Sequence, residues 1–236
     1  MTEGSVPVIA VDGPGGTGKG TVCGYLAAVL GWHLLDSGAL YRAVALAAIR
    51  AGLDIDDAEA VAVIARKLVI SFPAAIGTAG PQMVVDGADV SEAIRTEECG
   101  NAASRIALHQ AVRNALLAQQ RAFKQPPGLV ADGRDMGTVV FPEAKLKVFL
   151  TASPDERVQR RHKQLMVKGI SDSLQRLSAN IAERDARDRE RTASPMRPAR
   201  DAIVIDTTTL DEGEVRKQVS RLVRDHFPWR PEVGRL

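Results

Sequence analysis

Apolar and polar positions along this chain follow two rhythms. Short, largely apolar runs stand at 8–11, 32–35, 129–131, 146–150 and 202–205; each predicts a strand, and the first, with its β-branched residues, a buried one. Between them the spacing turns helical. Val22, Leu26, Val29 and Leu30 recur at i, i+4, i+7 and i+8, and Gly31 closes the stripe. An alanine-rich helix is predicted over 40–51. Asp54, Asp56 and Asp57 offer caps for another helix with Val61, Ile64, Ala65 and Leu68 on one face. Helical spacing returns over 91–124, ending at Pro126-Pro127-Gly128. Ser153-Pro154-Asp155-Glu156 has capping-box spacing and opens a helix to about 168, with Gly169 as its stop. A further helix begins near 171–173 and passes Arg191 before Pro195 and Pro198, and Asp211 to Glu214 caps a last one ending near 226. Strands separated by helices imply a parallel sheet covered on both faces, with ligands at the carboxyl ends of its strands. The character differs at 69–72 and 83–85. These segments are β-like and flanked by Pro73, Gly77, Gly80, Pro81 and the Asp86-Gly87 turn dipeptide, which predicts a small antiparallel insertion.

Composition narrows the classes. At 236 residues and 45% apolar the chain makes one domain with embellishments or two small ones. No apolar run approaches the length of a membrane span, and the first seven residues lack the basic start and apolar core of a leader, so a cytoplasmic protein is expected. Cys23 and Cys99 have no metal-ligand spacing and suit a reducing compartment, and the four histidines share no motif. A net charge of +2 argues against a nucleic-acid partner. The charge is uneven, however. Residues 157–200 hold twelve Lys/Arg against five Asp/Glu, so the rest of the chain is net acidic. Within that stretch Leu174, Leu177 and Ile181 share a helix face with Arg184, Arg187, Asp188 and Arg191. An apolar face that finishes charged points to a ligand. Asp185, Arg189 and Glu190 are expected on the solvated side, with Asp185 and Arg189 as an i,i+4 surface pair.

The densest chemistry is at residues 8–21, VIAVDGPGGTGKGT. Strand, glycine-rich loop and helix together form the setting in which backbone N–H groups and a helix N-terminus cradle phosphate, and Lys19 would reach the terminal phosphates. The usual pattern G-x-x-x-x-G-K-[ST] fits from Gly13 to Lys19. It then meets Gly20, with Thr21 one step later, so the hydroxyl that ordinarily ligates magnesium is missing. Arginines elsewhere (Arg42, Arg113, Arg134) suit bidentate phosphate recognition. A triphosphate loop with several arginines suggests two phosphates meeting. A phosphate-monoester acceptor is already ionised at pH 7 and needs no general base. An arginine on the transition state is worth ~10³–10⁵ in rate. The residues by themselves leave open a small-molecule kinase, another monophosphate kinase, or a nucleotide-dependent switch that uses the basic hairpin on RNA.

The resemblance is more specific. GPGGTGKGT, HLLDSGALYR (33–42), AASR (102–105), ADGRDMGTVVFP (131–142) and ERDARDRER (183–191) resemble, in order, the blocks of the bacterial cytidylate kinase family among the nucleoside monophosphate kinases. The β-like segment at 69–90 is similar to an insertion of that family. The resemblance implies an α/β fold in a single domain over 1–236. Its P-loop kinase core is a five-stranded parallel sheet with helices on both faces (1–53, 101–155 and 199–236). A monophosphate-binding insertion with a small antiparallel β element spans about 54–100, and a helical lid spans about 156–198. It implies transfer of the ATP γ-phosphoryl group to CMP or dCMP, with magnesium held mainly through ATP and water and no direct protein ligand. Gly13, Pro14, Gly15, Gly16, Thr17, Gly18, Lys19, Gly20 and Thr21 match positions on the ATP phosphates. Ser37, Arg42, Arg134 and Arg191 match those around the acceptor phosphate, Arg184 and Asp188 those on the sugar, and Ser104, Arg113 and Asp135 those that read the base. At least one of Arg157, Arg160 and Arg161, which open the lid, is expected to touch ATP, and Arg160 is assigned to it. Lys19, Arg134, Arg191 and Asp132 are the expected catalytic set, with Asp132 organising magnesium through water. A monomer is expected.

Overall fold

The computed structural model of the protein describes residues 6–72, 82–167, 169 and 172–228. Its main element is a five-stranded parallel sheet built from β1 (Val8–Asp12), β2 (His33–Asp36), β6 (Leu129–Gly133), β7 (Leu146–Thr151) and β8 (Ile203–Asp206), in the order β2-β6-β1-β7-β8. β1 pairs in parallel with β6 and β7, and β7 with β8. The three central strands β6, β1 and β7 are largely apolar and buried because both faces of a parallel sheet are covered, whereas the edge strands β2 and β8 are only partly buried. Ile9, Ala10, Leu129, Val130, Ala131 and Leu150 are fully buried.

Two compact units divide the chain. The first comprises Met1–His33 with Lys124–Leu236, the second Leu34–Phe123. In the first, α1 (Lys19–Leu30) follows β1, and α6 (Pro154–Val167) and α7 (Leu174–Glu190) form a hairpin. α8 (Glu212–His226) ends the described fold. The hairpin has its own small core of Val158, Leu165, Leu177 and Ile181. α8 starts on the predicted capping box: Asp211 accepts from Glu214 N and Glu214 reaches back to Asp211 N, both at 2.8 Å. At α6 only half of the predicted box forms. Ser153 Oγ accepts from Glu156 N at 3.3 Å, but the Glu156 carboxylate turns to Arg160 Nε at 2.8 Å.

The second unit holds α2 (Ser37–Arg50), α3 (Ala58–Lys67), α4 (Glu97–Ile106) and α5 (Gln110–Ala122). Asp36, Asp57 and Thr96 cap the first three of these helices through their side chains. The single helical stretch expected over 91–124 is two helices, α4 and α5, separated by residues 107–109. α5 has no side-chain cap, which is why no residue announced the break. The predicted antiparallel insertion is a three-stranded sheet of two-residue strands, β3 (Ile70–Ser71), β4 (Val84–Val85) and β5 (Ala88–Asp89). Pro73, Gly77, Gly80, Pro81, Ser171 and the tail from 229 onward lie outside the described residues.

Candidate functional site

Strand order sets the chemistry of the first unit. β1 is central, its last residue Asp12 level with Gly133 of β6 and Phe149 of β7. The loop after β1 therefore emerges between the loop after β6 and the start of α6. Gly13 stands at φ +140, and a β-carbon there would lie 2.0 Å from the Leu150 carbonyl oxygen. Only glycine fits so close an approach between neighbouring strand ends. Gly18, at φ +89, is the residue from which α1 departs. Inside the loop Thr17 Oγ1 donates to Pro14 O at 3.1 Å and Lys19 Nζ to the same oxygen at 2.7 Å. Lys19 is 6% exposed. Burial, aided by the nearby Arg134 charge, lowers its pKa from 10.5 to about 8, against the pull of Asp132.

The residues after β6 close one side of the loop. Asp132 is buried, with Oδ2 3.7 Å from where a Gly20 β-carbon would stand. Arg134 Nη2 is 3.8 Å from the corresponding point on Gly15. Its Nε donates to Asp188 of α7 at 2.9 Å. Burial opposes the Arg134 charge, but the Asp188 and Asp132 carboxylates outweigh it and raise the pKa further. Arg191 Nη2 lies 3.8 Å from Asp135 Oδ1, its Nε donates to Ser194 O at 2.5 Å, and both ends of that pair are nearly fully buried. Arg184 is half-buried on α7. Thus Asp132, Arg134, Asp135, Asp188 and Arg191, named from separate sequence blocks, fall in one unit as alternating arginines and carboxylates. A turn of π-helix (Met136–Val140) follows Asp135. The Asp12 carboxylate anchors it, accepting Met136 N and Gly137 N, each at 2.8 Å. Burial raises the Asp12 pKa from 3.8 to about 6, although the two N–H groups pull it down.

On the other side of the loop stand the arginines of α6. Arg160 donates through Nη1 to Thr207 Oγ1 at 3.0 Å and through Nη2 to Thr207 O at 2.5 Å, and its Nη1 is 3.5 Å from Gly16 O. Thr207 is fully buried at the end of β8, with its hydroxyl 3.2 Å from Thr17 O. Beside these residues opens a cavity of about 380 Å³, lined in part by Thr17, Gly18, Arg160, Gln164, Leu210 and Val215. Arg161 Nη1 donates to Gln164 Oε1 at 3.4 Å. Arg157, by contrast, is 4% exposed. It donates to Gly15 O at 3.2 Å and forms a bidentate pair with Asp185. This corrects the expectation for Asp185. The residue lies four and eight positions after Ile181 and Leu177 on the buried face of α7, and a charge is tolerated there because Arg157 neutralises it. Arg189 bonds the Asp185 backbone oxygen instead.

In the second unit, Ser37 is buried at the first position of α2. Arg42 Nη1 donates to Ile94 O at 2.6 Å and is 3.4 Å from Thr96 O. The Arg113 guanidinium lies 6.0 Å from the Tyr41 ring centroid. Ser104 Oγ is buried and makes no hydrogen bond among the described residues. Among those residues there is also no group of three His, Cys, Asp or Glu side chains able to hold a metal ion, and no helix is long and apolar enough to cross a membrane. Three of the four histidines, His33, His109 and His226, sit within hydrogen-bond distance of backbone carbonyls.

Asp12, Asp185, Thr207 and the cavity wall at Gln164, Leu210 and Val215 were not read as functional from the sequence, whereas Arg157 was expected only as one of three lid arginines, at least one of them on ATP. For Asp12 the local mark, a carboxylate closing an apolar strand, was not distinctive, because Asp36 and Asp206 close β2 and β8 in the same way. Thr207 and Leu210 meet their partners across more than forty positions and carry no local mark.

A glycine-rich loop between β1 and α1, a buried lysine beneath it and arginines on both flanks define a kinase of the P-loop class. The comparisons give the family. The cytidylate kinase family model matches residues 9–225. Cytidylate kinase of Pseudomonas aeruginosa is 52% identical over 219 residues, covering 93% of this chain and 96% of its own. That of Shewanella frigidimarina is 53% identical over 223 residues, 94% and 97%, and that of Aeromonas hydrophila 54% over 209 residues, 89% and 90%. The chain belongs to the cytidylate kinase family.

Proposed function

We propose that the protein transfers the γ-phosphoryl group of ATP to CMP or dCMP, giving ADP and CDP or dCDP. The observation that carries the reading is the Arg134 guanidinium 3.8 Å from the β-carbon position of Gly15: an arginine from the acceptor-side motif reaches the donor-side loop. Family membership supplies the acceptor class. The ATP phosphates lie on Gly13, Pro14, Gly15, Gly16, Thr17, Gly18, Lys19, Gly20 and Thr21. The adenine end takes the cavity beside Arg160, whose volume is within the ~300–1,000 Å³ usual for small-ligand sites. Ser37, Arg42, Arg134 and Arg191 receive the acceptor phosphate, Arg184 and Asp188 the sugar, and Ser104, Arg113 and Asp135 the base. Cytosine presents an amino donor where uracil presents a carbonyl, so a buried carboxylate favours the former. In the lid, Arg157 and Arg160 flank the donor loop.

Phosphoryl transfer here rests on position and charge. Lys19, Arg134 and Arg191 neutralise two anions that would otherwise repel, and the ionised acceptor attacks without a base. Magnesium fits the donor set as a water-mediated guest. Asp132 is the carboxylate facing Gly20, and the missing hydroxyl at position 20 leaves most coordination to ATP and water. Asp132 would hold the ion through water, and the ion would supply positive charge to offset that of the transferring phosphates. The reading includes a monomer in a reducing cytoplasm, and the reducing compartment suits Cys23 and Cys99, which are buried and not joined in a disulfide. Incubation with Mg-ATP and a panel of CMP, dCMP, UMP, AMP and GMP tests the function. Preferential phosphorylation of CMP or dCMP is expected, and failure to phosphorylate either overturns it.

A further inference from the structure

Helix α7 carries two carboxylates one turn apart, and each holds an arginine that borders the same glycine of the phosphate loop. Asp188 accepts from Arg134 Nε at 2.9 Å, and Arg134 Nη2 reaches to 3.8 Å from the Gly15 β-carbon position. Asp185 accepts from both terminal nitrogens of Arg157, and Arg157 Nη1 also donates to Gly15 O at 3.2 Å. The Arg157 stem continues the contact, since its Cβ is 3.1 Å from where a Gly16 β-carbon would be. Arg157 and Asp185 are 4% and 9% exposed. Arg157 Nε has no hydrogen-bond partner among the described residues, so the guanidinium is held through its Nη1–Nη2 edge, by the Asp185 carboxylate and the loop carbonyl.

We propose that Asp185 is a positioning residue for phosphoryl transfer: through Arg157 it fixes the backbone at Gly15 and Gly16 against the helix that also holds Arg134. The proposal rests on the reading that this loop holds the ATP phosphates. A surface i,i+4 pair would have no such consequence. A buried bidentate pair does, because removing the carboxylate leaves a guanidinium that must find water, and its departure releases the Gly15 carbonyl. A shift of about 1 Å in a positioning element can cost ~10²-fold in rate. The cost falls on the transfer step, since Asp185 makes no contact assigned to CMP.

The test compares Asp185→Asn and the double replacement Arg157→Met/Asp185→Leu with wild type, measuring thermal midpoint, KM for CMP and kcat per folded molecule. An apolar pair of similar volume restores packing where a broken ion pair does not. Asp185→Asn is expected to lower kcat by about 10- to 100-fold with KM for CMP changed less than about threefold. The double replacement is expected to recover the midpoint but not kcat. Wild-type kcat in either variant overturns the proposal and leaves the pair a purely structural one. Should Asp185→Asn fail to fold, the double replacement decides alone on the same criterion. The underlying loop assignment is checked separately with Lys19→Ala: full turnover there removes the loop reading itself, whatever Asp185 does.

Discussion

Lys19 gives the sharpest quantitative expectation. In the empty protein its ammonium is buried on the Pro14 carbonyl, and burial, with Arg134 beside it, holds the pKa at about 8 instead of 10.5. For a base lowered on folding, the stability it contributes is present above 10.5 and lost as the pH falls through 8, so the charged form is carried at a cost. On the proposed placement, phosphates of ATP would remove that cost and restore the ordinary value. At pH 8.5 about a quarter of empty molecules hold the proton, against nearly all bound ones, so binding takes up about 0.7 proton. At pH 7 the same reasoning gives about 0.1. Phosphate pKa values near 6 and that of Asp12, also about 6, leave both groups ionised at pH 8.5 and outside the count. The assay is isothermal titration of the protein with a non-hydrolysable ATP analogue in two buffers of different ionisation enthalpy. The dependence of the observed heat on that enthalpy gives the proton number. A further consequence is that affinity weakens about tenfold from pH 7 to pH 9. No proton uptake at pH 8.5, or equal uptake by Lys19→Met, would refute the placement of the phosphates on Lys19.

Other outcomes follow from buried polar groups. Asp12 is an acid raised on folding, from 3.8 to about 6, so its contribution is present below pH 3.8 and lost as pH rises through 6. Urea unfolding of wild type and Asp12→Asn at pH 4 and pH 7 is expected to show their stability difference moving by about 2 kcal/mol in favour of wild type at the lower pH; a constant difference contradicts the assignment. Ser104→Ala removes a buried hydroxyl with no hydrogen bond to lose, so the melting temperature is expected to hold or rise while KM for CMP increases severalfold. An unchanged KM would take Ser104 out of the acceptor site. Asp135→Ala is expected to reduce the preference for CMP over UMP more than it weakens ATP binding, measured as the ratio of kcat/KM for the two acceptors. Unchanged selectivity counts against its reading of the base.

Local order explains what the sequence disclosed. Gly13, Gly18 and Lys19 lie within seven positions, and the loop they make depends on glycine conformations that few other residues adopt. The core strands were legible because burial on both faces demands unbroken apolar runs, and the small antiparallel sheet because Asp86-Gly87 marks its turn. Asp185 was misread for a physical reason. Periodicity counts apolar residues, and a carboxylate on the buried face looks like a surface residue until its partner Arg157, twenty-eight positions away, is brought beside it. The π-helical turn after Asp135 was equally hidden, since its anchor, Asp12, is 124 positions distant. The gap between α4 and α5 lacked any capping side chain to betray it.

The central place of β1 in the sheet also bears on how the protein is made. Val8 pairs with Leu129 and Ile9 with Leu146, so β1 is synthesised before both neighbours and waits for them while the whole unit Leu34–Phe123 leaves the ribosome. Contacts of such sequence separation are costly to close and form slowly. A nascent chain therefore carries the glycine-rich segment long before it has an anion site. Competence to bind nucleotide should arise during synthesis as a step after residue 151, not as a gradual gain. In a chain stopped short of β7, Gly13 has no Leu150 carbonyl to pack against, and the loop has lost the neighbour that makes its conformation worth holding.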